Sequence, residues 1–205
     1  SFPTRRSSDL ENPSYVEFIT GEGGVIDTWL RRGAAGFRLD VADELPDDFI
    51  EKIRAAVKRV SPEKFLLGEV WEDATTKYGF GQRRTYLLGK GLDSVMNYPF
   101  KNAVLDFVKG KPAEQAMGEI LSICEHYPAP AMDTALNFLS THDTERALTV
   151  IADEPANGRG REWQSGRCVA GEAYEEGMLR LRMAYAIIYT LPGVPCLYYG
   201  DEIGM

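Results

Sequence analysis

The chain has 205 residues, 31 of them acidic and 23 basic, so its formal net charge is −8. This acidic balance argues against nucleic acid and against anionic membranes as binding partners. With 44% hydrophobic residues, the chain has enough apolar material for one sizeable core, or for most of one.

The first ten residues, SFPTRRSSDL, show no apolar periodicity. A basic start is present, but neither the hydrophobic segment nor the cleavage site of a signal peptide follows it. Reverse translation of these residues can give the end of a common sequencing-library adapter. We therefore expect residues 1–10 to be a non-native, adapter-derived segment and the biological sequence to begin near Glu11. A genuine basic tail is the alternative.

Short apolar strands alternate with helices along the rest of the chain. Periodicity and turn residues predict helices over about residues 25–32, 47–60, 101–110, 113–127 and 175–191. They predict strands over about residues 36–41, 65–70, 92–99, 135–140 and 194–200. This order is typical of βα units in a parallel sheet.

Two stretches depart from that rhythm. Residues 144–173 have little periodicity and several glycines, which predicts an inserted loop before the last helix. The apolar run 183–200 is interrupted by Pro192, Gly193 and Pro195, whereas a membrane span needs about 20 unbroken apolar residues. The run therefore predicts the end of a buried helix followed by a buried strand.

The cysteines and histidines give no sign of a metal or cofactor. Cys124, Cys168 and Cys196 are odd in number and fit no metal or redox spacing, so reduced thiols and a cytosolic setting are expected. His126 and His142 have no ligand spacing to each other, so no metal site and no cofactor is predicted. The sequence does not indicate an oligomeric state.

Charged residues mark the first predicted strand, GFRLDV. Alternation places Phe37, Leu39 and Val41 on one side and the charged Arg38 and Asp40 on the other. Because a parallel sheet is covered on both faces, we expect both charges to enter a buried space and to pair. A purely structural ion pair is the alternative.

Two more predicted strands end in polar residues. Glu69 stands near the carboxyl end of FLLGEV, two residues before Trp71, and the pair His142 and Asp143 follows ALNFLS after Thr141. In a closed barrel of parallel strands these ends converge on one mouth, where catalytic residues are placed. Two neighbouring carboxylates are the usual equipment for glycoside hydrolysis. Taken singly, each group fits equally well a strand-end carboxylate or a hydrogen-bonded structural pair.

Together, GFRLDVADE, LLGEVW and FLSTHD resemble three short motifs of the α-amylase superfamily, in the same order and on the same kinds of element. LDSVMNYPF and PGVPCLYYGDE extend the resemblance, which runs from about residue 11 to the end. It implies an α/β fold, a TIM (β/α)8 barrel of which residues 11–205 would form the C-terminal portion, with about the last five strands. An open sheet of this kind leaves two edges unpaired, so residues 1–205 alone are expected to be inactive.

The resemblance also implies a retaining mechanism and a role for each motif residue. Asp40 would be the nucleophile, Glu69 the general acid/base and Asp143 the stabiliser of the transition state. Arg38 would orient Asp40, and His142 would bind sugar hydroxyls.

Two further residues are candidates for substrate contact. Trp71 either stacks on a sugar or simply packs at the rim of the barrel. Glu44 resembles the acidic residue of neopullulanases and cyclomaltodextrinases, where endo-acting α-amylases often carry His. The alternative is that Asp43 and Glu44 form a solvated loop.

The implied substrate is an α-glucan or maltooligosaccharide, cleaved at α-1,4 bonds, with α-1,6 bonds left open. Hydrolysis and transglycosylation remain equally open. One alternative from another class is a catalytically inactive family member that serves as a binding or chaperoning subunit. A second is an unrelated, metal-dependent TIM-barrel enzyme, which would need a ligand cluster that two histidines scarcely provide.

Overall fold

The structure, a computed structural model, describes residues 10–152 and 157–205. Residues 1–9 of the predicted adapter-derived segment lie outside the described residues, as do residues 153–156 of the predicted inserted loop. The chain divides into two compact units. The first comprises the residues up to Met96 together with His126–Thr134, and the second comprises Asn97–Glu125 together with Ala135–Met205.

The elements follow in chain order as α1 (Pro13–Thr20), α2 (Val25–Arg31), β1 (Gly36–Leu39), a 3₁₀ turn (Ala42–Glu44), α3 (Asp47–Val60), β2 (Phe65–Gly68), β3 (Tyr78–Gly79), β4 (Gln82–Arg83), β5 (Ser94–Val95), α4 (Tyr98–Val108), α5 (Ala113–His126), α6 (Ala129–Asp133), β6 (Leu136–Asn137), α7 (Ala147–Ala152), α8 (Arg161–Ser165), α9 (Gly171–Thr190), β7 (Val194–Pro195) and a 3₁₀ turn (Asp201–Ile203).

The first unit is built on a parallel sheet in the order β1-β2-β5. Gly36 pairs with Phe65 and Leu39 with Gly68, so β1 and β2 run in step and end side by side. Gly68 also pairs with Val95 of β5. The predicted parallel βα arrangement is therefore confirmed for these strands.

Helix α3 shows why the sequence folds this way around β2. Its apolar residues recur at helical spacing and form one buried face, made up of Phe49, Ile50, Ile53, Ala56 and Val57. That face packs against β2 and α2, and burying each large side chain stabilises the unit by about 1.5–3 kcal/mol. Asp47 is the first residue of this helix, which begins directly after Pro46.

In chain order, a short antiparallel hairpin, β3–β4, follows β2 and precedes β5. The sequence pattern does not predict it, because each of its strands is only two residues long. Phe80 and Gly81, both with positive φ, form the turn of this hairpin.

In the second unit, α9 packs against α4 and α7, and β6 pairs in parallel with β7. The prediction of a plain inserted loop over residues 144–173 is wrong in part, because the stretch contains α7 and α8. Ala147, Leu148 and Ile151 of α7 are buried, but a six-residue helix is too short to reveal its period in the sequence. Within the two described ranges, no helix is long and apolar enough to cross a membrane.

Candidate active site

The carboxyl ends of β1 and β2 bring the first two motifs together. Backbone hydrogen bonds continue past the last paired residues: the Glu69 amide donates to the Leu39 carbonyl at 3.0 Å, and the Ala42 amide donates to the Glu69 carbonyl at 3.1 Å. The segment after β1 is thereby fixed alongside Glu69, as expected for parallel strands that end together.

Arg38 joins both carboxylates of this region. Its Nη1 lies 2.7 Å from Asp40 Oδ1, and its Nη2 lies 3.0 Å from Glu69 Oε2. Its Nε lies 3.3 Å from the sulfur of Met96. Because the guanidinium is planar and rigid, the two carboxylates it bonds are held at a fixed spacing across its fork.

Glu69 is the buried member of this group, with its side chain only 4% exposed. Besides the ion pair with Arg38, its Oε2 accepts from the Val41 amide at 2.9 Å, and its Oε1 accepts from Trp71 Nε1 at 3.0 Å. A carboxyl group removed from water needs such donors, since burying it without them costs several kcal/mol.

Val41 adopts a strained backbone in order to supply one of those donors. Its φ of 46° and ψ of 48° lie in the left-handed region, which is unfavourable for a β-branched residue. Such strain costs on the order of 1–3 kcal/mol and persists only where neighbouring contacts impose it. Here the contact is the hydrogen bond from the Val41 amide to Glu69.

Asp40 differs from Glu69 in exposure. The prediction that Arg38 and Asp40 both enter a buried space is wrong, because the Asp40 side chain is 70% exposed and Arg38 is not buried either. The strand ends at Leu39, so Asp40 lies in the turn that follows and no longer points into a sheet face. Arg38, one residue inside the strand, is partly covered, with its side chain 30% exposed.

Trp71 and Glu44 occupy the rim of the same region. Trp71 is 44% exposed, and its indole N–H is bonded to Glu69. Glu44 is exposed at the end of the 3₁₀ turn. Its neighbour Asp43 is not simply solvated, because its carboxylate lies 3.2 Å from Lys77 Nζ.

Sequence reasoning missed Arg84, which anchors this turn. Its side chain is fully buried and bonded to Asp43, Leu45 and Asp47. The one signal in the sequence was a basic residue in a stretch with no periodicity, which by itself predicts a solvated surface residue.

The third motif lies in the second unit. As predicted, His142 and Asp143 follow the strand in a loop, with His142 Nε2 3.0 Å from Asp143 Oδ2 and both side chains exposed. The loop closes on itself where the Thr141 amide donates to Thr144 Oγ1 at 2.9 Å. The structure thus groups Arg38, Asp40, Glu69 and Trp71 in the first unit, and pairs His142 with Asp143 in the second.

A buried carboxylate braces that loop. Asp201, with its side chain 1% exposed, accepts from Ser140 Oγ at 3.1 Å and from the Tyr185 hydroxyl, and lies 3.7 Å from Arg146. Ser140 Oγ in turn accepts from the Ala147 amide at 2.8 Å. Burial is the main cause that raises the pKa of Tyr185, and the hydrogen bond to Asp201 raises this pKa further. The Tyr185 hydroxyl therefore remains a hydrogen-bond donor.

Comparison with known proteins decides the family. The profile of the α-amylase catalytic domain matches residues 6–205. The chain belongs to the α-amylase family. This confirms the resemblance found in the motifs of its three strand ends.

Individual relatives of this α-amylase-family chain agree with that assignment. A cyclomaltodextrinase from Bacillus sp is 32% identical over 99% of the chain, which covers 31% of that enzyme. Neopullulanase 2 of Thermoactinomyces vulgaris is 34% identical over 95% of the chain, which covers 28% of it. Both relatives are glycoside hydrolases, and they belong to the two enzyme classes that Glu44 resembles in sequence.

A solved structure extends the likeness to the fold. The cyclic α-maltosyl-(1→6)-maltose hydrolase from Arthrobacter globiformis superimposes with a TM-score of 0.73 at 28% identity, over 95% of this chain and 37% of that one. Its family is one of TIM-barrel enzymes, and the α/β architecture with parallel strands found here agrees with it. The chain spans less than a third of the two curated relatives named above.

Proposed function

We propose that the full-length gene product is a retaining glycoside hydrolase or transglycosylase that cleaves α-1,4 bonds of α-glucans and maltooligosaccharides, and that residues 11–205 form part of its (β/α)8 barrel. The observation that carries this proposal is the shared guanidinium of Arg38, bonded to Asp40 at 2.7 Å and to Glu69 at 3.0 Å. A retaining enzyme needs two carboxyl groups about 5–5.5 Å apart, a spacing that one guanidinium between them is suited to keep.

The different environments of the two carboxylates support different roles. Asp40 is exposed and pairs with Arg38, as a nucleophile that must reach an anomeric carbon should be placed. Glu69 is buried among donors and beside an indole ring, in a site from which one carboxyl group can serve as acid and then as base. In this proposal the bond to Arg38 also prevents rotation of Asp40 away from the sugar.

The proposal also gives a role to each remaining candidate. Asp143 stabilises the oxocarbenium-like transition state, and His142, held by its contact with Asp143, donates to sugar hydroxyls. Trp71, which is partly exposed, packs against a sugar. Glu44 contacts the sugar on the leaving-group side and contributes to the choice between substrates.

The names of the relatives support the substrate class. Cyclomaltodextrinase, neopullulanase and cyclic α-maltosyl-(1→6)-maltose hydrolase are named for α-glucans, and the last name contains an α-1,6 bond. We include α-1,6 bonds as secondary targets on that ground. The unpaired Cys124, Cys168 and Cys196 support our proposal of a reducing, cytosolic compartment.

An activity panel on the full-length gene product tests the proposal. Starch, pullulan, cyclomaltodextrins, maltotriose and trehalose are incubated with the wild type and with Asp40→Ala as the control for contaminating activity. Release of α-configured maltooligosaccharides by the wild type alone is expected. No turnover of any α-glucan, combined with tight binding of one, would instead support the inactive binding subunit.

A further inference from the structure

The 3₁₀ turn Ala42–Glu44 has little structure of its own to fix it. Within it, the Glu44 amide donates to the Val41 carbonyl at 3.0 Å and the Leu45 amide donates to the Ala42 carbonyl at 3.3 Å. These two short-range bonds close a single turn, which in isolation would be marginal. The position of Glu44 therefore depends on contacts from elsewhere in the first unit.

Arg84 supplies those contacts on both sides of Glu44. Its Nη1 donates to the Asp43 carbonyl at 2.8 Å, and its Nη2 donates to the Leu45 carbonyl at 2.5 Å. Its Nε donates to Asp47 Oδ1 at 2.8 Å, at the first residue of α3. One guanidinium thus binds the residue before Glu44, the residue after it and the start of the next helix.

The surroundings of Arg84 restrict it to that position. Its side chain is 0% exposed, and its guanidinium carbon lies 4.5 Å from the Tyr86 ring centroid and 5.3 Å from the Phe80 ring centroid. Two aromatic faces hold the guanidinium in place by cation–π attraction. Phe80 forms part of the β3–β4 turn, so the hairpin also determines where the guanidinium lies.

Burial of this charge is better explained by positioning than by stability. Only one of its three acceptors, Asp47, is an acidic side chain, and the other two are backbone carbonyls. Removing an ion from water costs several kcal/mol, which a single buried pair repays poorly. An arginine fork can bond three acceptors in fixed directions, whereas a lysine carries one compact point charge. The contact of Lys77 with Asp43 at 3.2 Å ties the same turn a second time.

We propose that Arg84 is a positioning residue for substrate choice: it fixes the backbone around Glu44 so that the Glu44 carboxylate meets the leaving-group sugar in one place. The inference rests on the proposed function, because Glu44 acts on a sugar only if the protein is an α-glucan enzyme. It assigns the hairpin-bearing segment after β2 to substrate discrimination.

A double-mutant cycle in the full-length gene product tests the inference. The readout is the ratio of kcat/KM for cyclomaltodextrin to kcat/KM for pullulan, in Arg84→Lys, in Glu44→Ala and in the double variant. Glu44→Ala should move this ratio about tenfold, the lower end of what one contact contributes to discrimination. Arg84→Lys should move it in the same direction by about threefold to tenfold, and should add nothing in the Glu44→Ala background.

Arg83→Lys is the matched control. Arg83 is exposed, and its Nε donates to the Thr75 carbonyl at 2.7 Å. The ratio should therefore stay at the wild-type value in this variant. An unchanged ratio in Arg84→Lys would overturn the positioning role. So would a full Arg84→Lys shift that persists in the Glu44→Ala background, because Arg84 would then act independently of Glu44.

Hydrogen exchange separates this inference from the proposed function and from simple misfolding. Within residues 42–47, the amides other than that of Pro46, which has no N–H, should exchange faster in Arg84→Lys than in the wild type or in Arg83→Lys, while the amides of β2 stay protected. If Arg84→Lys does not fold, Lys77→Met loosens the same turn from a partly exposed position and should give the smaller shift in ratio. A wild type without α-glucan activity would defeat the proposed function, whereas unchanged exchange at 42–47 would defeat the inference alone.

Discussion

Each unit offers a buried and an exposed carboxylate for comparison: Glu69 and Asp40 in the first, Asp201 and Asp143 in the second. The two buried carboxylates have different partners. In the first unit, Glu69 accepts from a guanidinium, a backbone amide and an indole, and the guanidinium continues to the exposed Asp40. In the second unit, Asp201 accepts from a serine and a tyrosine and lies 3.7 Å from Arg146 Nη1, while the exposed carboxylate of Asp143 lies 3.0 Å from His142 Nε2.

Because Glu69 and Asp201 are both buried but have different partners, burial alone does not identify a catalytic carboxylate. Glu69 is connected by one side chain to a second carboxylate that faces solvent, so the pair can act on one bond. Asp201 is connected to Ser140 and thence to the first residue of α7, so its bonds end in structure. On this account Glu69 does chemistry, and Asp201 shapes the loop that carries Asp143.

Matched amide substitutions should separate the two buried carboxylates most sharply. Glu69→Gln keeps the size of the side chain but removes the titrating group, so kcat on maltooligosaccharides should fall roughly 10²–10⁴-fold. Asp201→Asn keeps a carbonyl acceptor for Ser140 and should cost about 1 kcal/mol of stability, with activity within about tenfold of wild type. Steady-state kinetics and urea unfolding of the full-length protein measure both, and equal loss of activity in the two variants would contradict the comparison.

Removing the link between the carboxylates should have the next largest effect. Arg38→Met leaves Glu69 buried without its charged partner, which should lower the free energy of unfolding by roughly 3 kcal/mol, the lower end for a broken buried pair because Arg38 is 30% exposed. Freed from Arg38, Asp40 should lose its alignment, and kcat should fall about 100-fold. Arg32→Met, at an exposed arginine that covers the Trp29 ring, is the control and should change neither quantity appreciably.

The smallest expected effect concerns a third carboxylate, Asp93, and the dependence of its stabilising contribution on pH. Burial would raise the pKa of Asp93, but hydrogen bonds from Lys58 and Arg54 outweigh it and hold the pKa below its ordinary value of 3.8. The stability contributed by ionised Asp93 is therefore present above pH 3.8 and is lost as pH falls through the lower folded-state pKa. Asp93 also accepts from the Leu66 amide, so its bonds connect α3 to β2.

Asp93→Asn should thus be less stable than wild type by about 2 kcal/mol at neutral pH, and the gap should narrow as pH falls below 3.8. Urea unfolding of both proteins across pH 2.5–7, a range chosen around the ordinary carboxyl pKa of about 3.9, measures the gap. A gap that stays constant across this range would show that the charge of Asp93 contributes nothing.

Much of this arrangement could be predicted from the sequence because it depends on short-range patterns. The buried face of α3 follows from apolar residues at helical spacing, and the parallel pairing of β1 with β2 follows from two strands separated by a helix. The three motif carboxylates appear at strand ends because apolar runs stop there. These features are written in neighbouring residues.

The remaining features depend on contacts between distant residues, which a pattern does not record. Asp40 was expected to be buried, yet β1 ends one residue earlier, and that end is set by pairing with β2. The left-handed backbone of Val41 exists because its amide meets Glu69, 28 residues away along the chain. The burial of Arg84 likewise depends on carbonyls about 40 residues earlier, so composition gave no sign of it.

Rescue by azide is the most direct test of the proposal that Asp40 is the nucleophile and Glu69 the general acid/base, because it assigns a role to each of these carboxylates separately. In Glu69→Ala with an activated aryl α-glucoside, Asp40 can still form the glycosyl intermediate, but no base activates water to release it. Azide needs no base, so it should restore turnover and give the α-glucosyl azide after two displacements. In Asp40→Ala, azide should displace the leaving group once and give the β-glucosyl azide, and proton NMR distinguishes the two anomers. A β-azide from Glu69→Ala, or an α-azide from Asp40→Ala, would contradict the assignment of nucleophile and acid/base.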